Sequence, residues 1–558
     1  MRILLLTHSF NSLAQRLFAE LKARGHDVSV ELDISDAVTE EAVLLFRPDV
    51  ILAPFLKRAI PESVWSRHVC LVVHPGVEGD RGPSALDWAI QQGLPTWGVT
   101  VLQAQAEMDA GPVWASETFA LRCARKSSVY RLEVTEAAVR CVSKALERRE
   151  SGTFVPHTPP GHPHEVMKQL DRRIDWHSDN TEVVLAKLHA ADGFPGVADT
   201  LFGEPCHLFD AWPEAQARGT PGDLLARRET AILRATVDGA VWIGHVKRAG
   251  GFKLPATFGF PQSSALPESV LAPWWKMIEP TWQDIAYTQV DKVGYLDFEF
   301  YNGAMSTRQC QRLEMAFRWA ATQPTRVIVL RGGSDFWSNG IHLNTIEAAS
   351  SPSDESWVNI QAMDDLAETL LRCATHVTVA ALRGGAGAGG CFLARAADQV
   401  WVRDGVMLNP HYKNMGNLYG SEFWTYLLPK RVGEAGARAI MRNRLPMTAA
   451  ESVQAGLYDA CLPSADFDDA VTQRAQHLAT AQQSSALLSQ KSAMRCTDEA
   501  HKPLAAYRME ELEEMKRNFF GFDASYHVAR HHFVQRSLHS WTPRHLALHR
   551  EIDWKIPA

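Results

Sequence analysis

The sequence has no apolar run that approaches the length of a membrane span, and charge of neither sign dominates it. Its nine cysteines are scattered with no Cys-x-x-Cys pair, so we expect no zinc ribbon and infer a reducing, cytoplasmic setting. A net charge of -7 over 558 residues gives no reason to expect nucleic-acid binding. We therefore expect a cytoplasmic protein with neither a membrane nor a nucleic acid as its partner.

The first strand-like segment also lacks a Gly-x-Gly-x-x-Gly after it, so a standard dinucleotide site is not expected. Apolar runs at residues 3–6, 28–32 and 50–53 alternate with helical patterns, which predicts an α/β fold with a parallel, doubly wound sheet. The length predicts three or four domains. We place them at residues 1–150, 151–270, 285–500 and 501–558, the last as a helical extension.

A histidine and an aspartate follow two predicted strands of the first domain. The run at residues 69–73 ends in His74-Pro75-Gly76, and Asp109 follows the run at residues 97–102. Ligands of open α/β sheets bind at the carboxyl ends of strands. His74 and Asp109 are therefore predicted to form an acid–base pair.

Two further residues of this domain are candidates for ligand contact. Gln15 follows the first loop and could line the crevice, although a role at the helix surface is an equal alternative. Arg131 lies near the start of a helix predicted over residues 127–148 and could face an anionic ligand. An exposed arginine is the commoner alternative.

The stretch around His74 resembles the tetrahydrofolate-dependent formyltransferase and formyl hydrolase family, which carries Asn-x-His-Pro-Ser, an Arg-Gly-rich loop and a later Asp. His74 and Asp109 match this pattern, whereas Val72 stands where the family has its Asn. The resemblance covers about residues 1–250. It implies 10-formyltetrahydrofolate as cofactor, and it implies a small, β-rich, barrel-like domain after the catalytic one. Because Val cannot donate a hydrogen bond, another donor must hold the formyl oxygen or the chemistry differs.

Two stretches rich in proline and glycine, residues 151–165 and 250–269, are predicted to be linkers. The first contains His162, His164 and Glu165, residue types that can bind a metal ion. The spacing of metal ligands is incomplete, so we predict no metal.

The second half carries a different pattern. Apolar runs at residues 293–298, 327–330 and 377–382 accompany Ser338-Asn339-Gly340 and a glycine-rich run at residues 384–390. This resembles the enoyl-CoA hydratase/isomerase (crotonase) superfamily over about residues 285–500. The resemblance implies coenzyme A as ligand and an oxyanion hole formed by the N–H groups of Ile341 and Gly389. It also places Asn302 in a loop that lines coenzyme A, with helix capping as the alternative.

The departures from the crotonase pattern concern its acids. Phe392 and Tyr412 stand at or near the positions of the two hydratase glutamates, so water addition to a double bond is not expected. A new carboxylate appears at Glu422, and Tyr412 and Glu422 are predicted to replace the missing acid–base pair. A hydrogen-bonded core tyrosine and a solvated surface glutamate are an equal alternative. In the helical tail, Arg530 and Arg536 could reach an anionic ligand.

A formyltransferase-like half fused to a crotonase-like half resembles the maturation factors of [NiFe] hydrogenases. The resemblance implies formyl transfer from 10-formyltetrahydrofolate to coenzyme A, followed by cleavage of formyl-CoA to carbon monoxide. Other hydrogenase maturation proteins would be its partners. Two alternatives stay open: a formyltetrahydrofolate hydrolase with a non-catalytic crotonase domain that binds coenzyme A, and a non-catalytic partner that senses folate and coenzyme A.

Overall fold

A computed structural model of the chain describes residues 1–269, 273–275, 280–537 and 540–551. The chain divides into two compact units. The first comprises Met1–Gly250, Pro255–Glu268 and Leu538–Ala558, and the second comprises Gly251–Leu254 and Ser269–Ser537. Within the described ranges, no helix combines the length and the apolar character that crossing a membrane requires.

The first unit begins with a six-stranded sheet in the order β2-β1-β3-β4-β6-β7. Its strands, with the short β5 outside that sheet, are β1 (Arg2–Thr7), β2 (Asp27–Leu32), β3 (Val50–Phe55), β4 (Cys70–His74), β5 (Asp80–Arg81), β6 (Thr96–Gln103) and β7 (Val113–Ala120). The first four strands of the order are parallel, as predicted. Strands β6 and β7 depart from the parallel prediction, since each is antiparallel to its neighbour. The loop at residues 104–112 joins β6 to β7, and a parallel pair would need a longer crossover connection.

Helices cover this sheet and place the loops that follow its strands. They are α1 (Ser12–Ala23), α2 (Asp36–Phe46), α3 (Glu62–Trp65), α4 (Ala85–Gln91), α5 (Lys126–Val129) and α6 (Thr135–Ser151). Asn11 caps α1 by accepting from the Ala14 N–H at 3.0 Å. The helix predicted over residues 127–148 is present, but a π-helical turn, Tyr130–Val134, interrupts it. A π turn inside a helix is frequent at functional sites.

The proline-rich segment at residues 151–165 is not a free linker. Its β8 (His162–Pro163) runs parallel to β5, and the His164 N–H donates to the Arg81 carbonyl at 2.8 Å. The linker prediction failed because a segment rich in proline can also form a short strand at the edge of a sheet. This pairing brings the segment to the loop that follows His74.

The small β-rich domain of the first unit has an antiparallel sheet in the order β11-β12-β13-β10-β9. Its elements are α7 (Gln169–Arg172), α8 (Thr181–Ala191), β9 (Val197–Leu201), β10 (Glu204–Glu214), β11 (Leu224–Arg228), β12 (Ala231–Ala235), β13 (Ala240–Arg248) and α9 (Ala256–Gly259), and the short β14 (Lys253–Pro255) precedes α9 along the chain. A 3₁₀ helix, Pro261–Ala265, follows. The predicted second linker at residues 250–269 is therefore largely structured, because Phe260 is fully buried in the core of this domain.

The second unit has the mixed α/β architecture predicted for residues 285–500. Its strands are β15 (Ile285–Val290), β16 (Val293–Phe298), β17 (Val327–Arg331), β18 (Phe336–Ser338), β19 (Val377–Leu382), β20 (Gly385–Gly387), β21 (Gln399–Arg403), β22 (Met407–Asn409), β23 (Met447–Thr448) and β24 (Ala460–Leu462). They form two sheets, ordered β15-β16-β17-β19-β21-β24 and β18-β20-β22-β23.

Ten α-helices are assigned in the described part of this unit. They are α10 (Thr307–Ala320), α11 (Leu343–Ala348), α12 (Pro352–Arg372), α13 (Gly389–Arg395), α14 (Trp424–Asn443), α15 (Ala449–Gln454), α16 (Phe467–Leu478), α17 (Ala481–His501), α18 (Leu504–Phe520) and α19 (Ser525–Gln535). Helices α12, α13 and α18 contribute buried side chains to one large apolar core. That core surrounds the second candidate site.

The tail predicted as one helical extension over residues 501–558 is helical only to Gln535. Beyond residue 540 the described chain has a single 3₁₀ turn, Leu548–Arg550, and residues 538–539 and 552–558 lie outside the described residues. The Val30 N–H of the edge strand β2 donates to the Leu546 carbonyl at 2.9 Å. The buried His549 ring bonds Ser29 and Glu31. Docking on a strand edge satisfies backbone groups that a helix would satisfy internally.

Candidate functional site

The first candidate site surrounds His74, at the carboxyl end of β4. The ring is buried between two carboxyl groups. Its Nε2 donates to Asp80 Oδ1 at 2.7 Å, and its Nδ1 lies 3.6 Å from Asp109 Oδ1. The structure thus brings the predicted pair His74 and Asp109 together, at a distance too long for a hydrogen bond. The short bond of the histidine goes to Asp80.

Asp80 is a residue that sequence reasoning missed. Its carboxyl is 4% exposed, and its Oδ2 lies 3.0 Å from Nε2 of the half-exposed His164. The signal was available, because Asp80 belongs to the Arg-Gly loop that the formyltransferase resemblance already singled out. His164 could not be found this way, since it comes from a segment predicted to be a linker.

Gly76 makes the contact between His74 and Asp80 possible. A methyl group at this position would lie 2.6 Å from Asp80 Oδ1 and 2.6 Å from His74 Cδ2. Either distance is far below a van der Waals contact, so a side chain here would force the two residues apart. The formyltransferase pattern has Ser at this position. Gly76 is therefore a departure from that pattern that the contact between His74 and Asp80 requires.

Asp109 is held in place by its own loop. Its backbone has a φ of 55°, a left-handed value that costs free energy for a residue other than glycine. Its Oδ2 accepts from the Gly82 N–H at 3.2 Å. That bond leaves Oδ1 facing the His74 ring.

The other predicted residues of this site lie as follows. Val72 is half-buried within β4, paired with Ala53 and Leu102, and it presents no donor. Gln15 is half-buried and donates to the Phe10 carbonyl at 2.9 Å. Arg131 is half-buried in the π-helical turn and donates to the Ser127 carbonyl at 3.3 Å.

The second candidate site lies where the loop of Gly340 meets the start of α13. A Cβ built on Gly340 would be 3.6 Å from the Gly389 amide nitrogen, so the two segments are in contact. Gly389 is the first residue of α13, a position whose N–H finds no acceptor within its own helix. Ile341 is the buried residue that follows Gly340. The loop therefore approaches Gly389 as the predicted oxyanion hole requires.

Glu422 lies against this corner. A methyl group at Gly389 would be 2.7 Å from Glu422 Oε2 and closer still to Oε1. Only glycine therefore lets the carboxyl reach this position. Glu422 is 1% exposed, so its alternative role as a solvated surface residue is wrong.

Tyr412 is the direct partner of Glu422. The phenol donates to Glu422 Oε2 at 2.6 Å and lies 3.0 Å from the Ser421 carbonyl. Its ring stacks on Phe392 with centroids 5.7 Å apart and planes at 15°. Burial and the Glu422 carboxyl raise the pKa of Tyr412 well above its usual value, so the phenol keeps its proton.

Two more carboxyl groups, Asp364 and Glu511, lie behind Glu422 and were missed from the sequence. Both are fully buried. Burial first, and then the Asp364 carboxyl, raises the pKa of Glu422 above its ordinary range. The same causes in the same order raise the pKa of Glu511 to about 8, and burial raises that of Asp364.

A sequence signal for these two acids existed. Asp364 lies among the buried residues Ile360, Met363 and Ala367 of α12. Glu511 follows the spacing of the buried residues on α18, Leu504, Met515 and Phe519. An acidic residue on the apolar stripe of an amphipathic helix is unusual. Such a residue marks a partner or a function.

The remaining predicted ligand contacts are Asn302, Arg530 and Arg536. The Asn302 side chain is exposed, and its carbonyl accepts from Asn339 Nδ2 at 2.8 Å. Helix α10 is capped by Ser306, so the capping alternative for Asn302 is wrong. Arg530 is buried and bonds Glu347 Oε2 at 2.7 Å, whereas Arg536 ends α19 in an exposed position.

Two family models match separate parts of the chain. A family model described as enoyl-CoA hydratase/isomerase matches residues 299–542, and one described as formyl transferase, C-terminal domain, matches residues 166–259. The chain is also 27% identical over 224 residues to a methionyl-tRNA formyltransferase of Variovorax paradoxus, a match that covers 39% of this chain and 70% of that protein.

Two proteins resemble the chain over nearly its whole length. A protein named hydrogenase maturation factor HoxX, from Bradyrhizobium diazoefficiens, is 51% identical over 99% of this chain and 97% of its own. The crystal structure of HypX from Aquifex aeolicus in complex with tetrahydrofolic acid is 46% identical. It superposes with a TM-score of 0.98 over 100% of both chains.

Proposed function

The chain belongs to the HoxX and HypX family of hydrogenase maturation factors, and we propose that it makes carbon monoxide for the iron centre of a [NiFe] hydrogenase. The first unit would transfer a formyl group from 10-formyltetrahydrofolate to coenzyme A. The second unit would split formyl-CoA into carbon monoxide and coenzyme A. The observation that carries this proposal is the buried pair of Tyr412 and Glu422 beside Gly389. It stands where the crotonase resemblance places a thioester, and the usual hydratase acids are gone.

The folate half of the proposal rests on the His74 site and on one relative. The Aquifex aeolicus protein was crystallised with tetrahydrofolic acid, and we infer that this chain binds the same class of compound. Gln15 and Arg131 are our candidates for contacting it. Arg131 supplies the cation that a glutamate tail would need.

His74 is proposed to move the proton in formyl transfer. It would accept the thiol proton of coenzyme A as sulfur attacks the formyl carbon. It would then return a proton to the folate nitrogen as the carbon–nitrogen bond breaks. Asp109 stabilises the charged ring, and Asp80 fixes its orientation through the 2.7 Å bond. Since Val72 has no donor, we infer that other groups, with His74 and a backbone N–H as the candidates, hold the formyl oxygen.

Glu422 is proposed as the base of the second reaction. Its carboxylate takes the formyl proton, the electron pair of that C–H bond stays on carbon, and the carbon–sulfur bond breaks with its pair on sulfur. Tyr412 gives its proton to sulfur and regains one from Glu422 along their 2.6 Å bond. The N–H groups of Ile341 and Gly389 stabilise the negative charge on the thioester oxygen.

Coenzyme A itself would be held by the second unit. Asn302 is the candidate contact in the loop before α10, and Arg530 and Arg536 are candidates for its phosphates. Arg530 is already paired with Glu347, so its guanidinium group would have to contact Glu347 and a phosphate at the same time. Other hydrogenase maturation proteins are the proposed recipients of the carbon monoxide.

The test incubates the purified protein with 10-formyltetrahydrofolate and coenzyme A, and traps carbon monoxide with a haem protein. We expect carbon monoxide to form only when both substrates are present. Release of formate without dependence on coenzyme A would instead support a formyltetrahydrofolate hydrolase. Binding of both compounds without turnover would support a sensor.

Two variants separate the halves. His74→Ala should lower formyl transfer about 10²-fold or more, the usual scale for an acid–base group, yet it should still convert supplied formyl-CoA. Glu422→Gln should abolish carbon monoxide formation and leave formyl transfer intact. Glu510→Gln, an exposed neighbour of Glu511 on α18, is the matched control and should change neither reaction.

A further inference from the structure

The residue proposed as the base lies in an unusual turn. Glu422 and Phe423 both have left-handed backbones, with φ values of 58° and 60°. Glycine normally occupies such positions, because a side chain disfavours them. Two consecutive left-handed residues without glycine persist only where surrounding contacts hold them. We call residues 421–423 the Glu422 turn.

Two buried carboxyl groups hold the backbone of this turn. Asp364 Oδ1 accepts from the Glu422 N–H at 2.8 Å, and Glu511 Oε2 accepts from the Phe423 N–H at 2.9 Å. The Ser421 hydroxyl lies 2.8 Å from both oxygens of Asp364. Each strained residue therefore donates its N–H to a different acid, one on α12 and the other on α18.

Glu511 also ties the turn to the helix that follows it. Its Oε1 accepts from the Thr425 N–H at 2.8 Å and from the Thr425 hydroxyl at 2.5 Å. These donors belong to the first turn of α14, where N–H groups lack partners within the helix. Glu511 thus acts as a cap supplied from another helix.

A neutral side chain could accept the same hydrogen bonds, and burying it would cost less free energy than burying a carboxylate. Three carboxyl groups enclosed together resist ionisation, since burial and mutual repulsion both disfavour charge. Few titratable groups other than Tyr412 lie near them. Arg508 faces Asp364 but bonds Asp365 and Glu368, and Cys310 on α10 lies near Glu422. Acids retained at such a cost point to a role beyond structure.

We propose that Asp364 and Glu511 are positioning residues that impose the left-handed Glu422 turn and aim the Glu422 carboxyl at Gly389. The inference rests on the proposed role of Glu422 as base. It adds a second function for the charge on Asp364, which sets how readily Glu422 gives up its proton. Neither residue touches the reacting atoms.

The proton arrangement around Tyr412 agrees with this role. The phenol has one proton, and both Ser421 O and Glu422 Oε2 lie within bonding distance of it. If Glu422 is protonated it donates to the phenol, and the phenol then donates to the Ser421 carbonyl, so both hydrogen bonds of the phenol are made. If Glu422 is ionised, the Ser421 carbonyl loses that donor. The turn therefore holds Glu422 where it can both keep and release a proton.

The test compares Asp364→Ala with Asp364→Asn in carbon monoxide formation from supplied formyl-CoA, with formyl transfer by the first unit as an internal check. Asp364→Ala removes the acceptor, and we expect kcat to fall about 10²-fold, the scale of a misplaced catalytic group, at an unchanged KM. Asp364→Asn keeps an acceptor for the Glu422 N–H and should recover much of kcat. Its rate–pH curve should shift to lower pH, because a negative neighbour of Glu422 is gone.

Glu511→Gln should behave like Asp364→Asn, and Asp365→Asn on the same helix as Asp364 is the matched control. Crystal structures of the Asp364 variants supply a readout that does not depend on turnover. We expect Glu422 to leave the left-handed region in Asp364→Ala and to keep it in Asp364→Asn. A retained turn with wild-type kcat in folded Asp364→Ala would overturn the inference. Wild-type protein that makes no carbon monoxide would refute the proposed function instead, and the crystal structures would still decide the turn.

Discussion

Replacing Gly389 by alanine tests the position of Glu422 without removing its carboxyl. The added methyl group would lie 2.7 Å from Glu422 Oε2, whereas ordinary van der Waals contact begins at 3.4 Å. The carboxyl must therefore retreat by at least ~0.7 Å at Oε2, and by more at Oε1, which is closer. Its 2.6 Å bond with Tyr412 would be stretched or broken by that movement.

A displacement of about 1 Å in a catalytic group costs roughly 10²-fold in rate, which corresponds to about 2.7 kcal/mol of transition-state stabilisation. We expect Gly389→Ala to lose about this much kcat in carbon monoxide formation from formyl-CoA. The loss in stability should be smaller, about 1–3 kcal/mol, as for other overpacked sites. Steady-state kinetics with a haem protein as trap, together with thermal unfolding, measure both quantities.

Gly385→Ala is the matched control, because its Cβ would meet the Met407 carbonyl at 3.3 Å, a contact that a small shift relieves. It should keep a rate near that of the wild type. A double-mutant cycle on stability adds a second check, since Gly389→Ala should cost much less in a Glu422→Ala background, which lacks the carboxyl group that the added methyl would meet. A folded Gly389→Ala variant with wild-type kcat would refute the position assigned to Glu422.

Three further predictions concern the two sites. Asp80→Asn and Gly76→Ala should each lower formyl transfer about 10-fold or more, because both disturb the orientation of His74. Formyl-CoA formation measures this rate, and a normal rate in either folded variant would exclude Asp80 from the reaction. Val72→Asn should raise the ratio of formate to formyl-CoA if Val72 protects the formyl group from water, and an unchanged ratio would remove that idea. Carbon monoxide formation by the wild type should rise with pH across the neutral range, because burial and Asp364 raise the pKa of Glu422 and only the ionised form is a base; a flat rate from pH 5 to pH 9 would contradict that role.

Much of the fold follows from local patterns in the sequence. The strands around Leu4, Leu52 and Val379 are continuous apolar runs, as strands covered on both faces must be, and the structure has them close to the predicted bounds. The antiparallel direction of β6 and β7 could not be read in the same way. Strand direction depends on how the connection returns, which apolar periodicity does not record.

The candidate sites were predictable only where a motif carried them. Sequence reasoning singled out His74 and Asp109 because they match the formyltransferase pattern. It singled out Glu422 because that residue departs from the crotonase pattern. Asp80 and His164 were missed because their contact depends on two short strands, β5 and β8, whose paired residues, such as Asp80 and His162, are far apart in sequence. Asp364 and Glu511 were missed for a related reason. Their function depends on which backbone N–H groups they meet, and helical spacing cannot show that.

The buried acids also fix how stability must respond to pH. Burial raises the pKa values of Asp364, Glu422 and Glu511 in the folded protein above their ordinary values. In the pH range between the ordinary and the raised values, the folded state binds more protons than the unfolded state does. Stability contributed by these groups is therefore complete at low pH and is lost as pH rises through that range.

This loss occurs in the same range in which Glu422 becomes a base, so the conditions that activate the proposed reaction also weaken the turn that positions it. Neutralising one acid should relieve the repulsion, and Glu422→Gln is then expected to be more stable than the wild type at high pH while it makes no carbon monoxide. If replacing a residue stabilises the protein but abolishes its activity, that residue is present for catalysis and not for stability. This test distinguishes a catalytic carboxyl group from a structural one, because the protein would lose stability if a structural acid were neutralised.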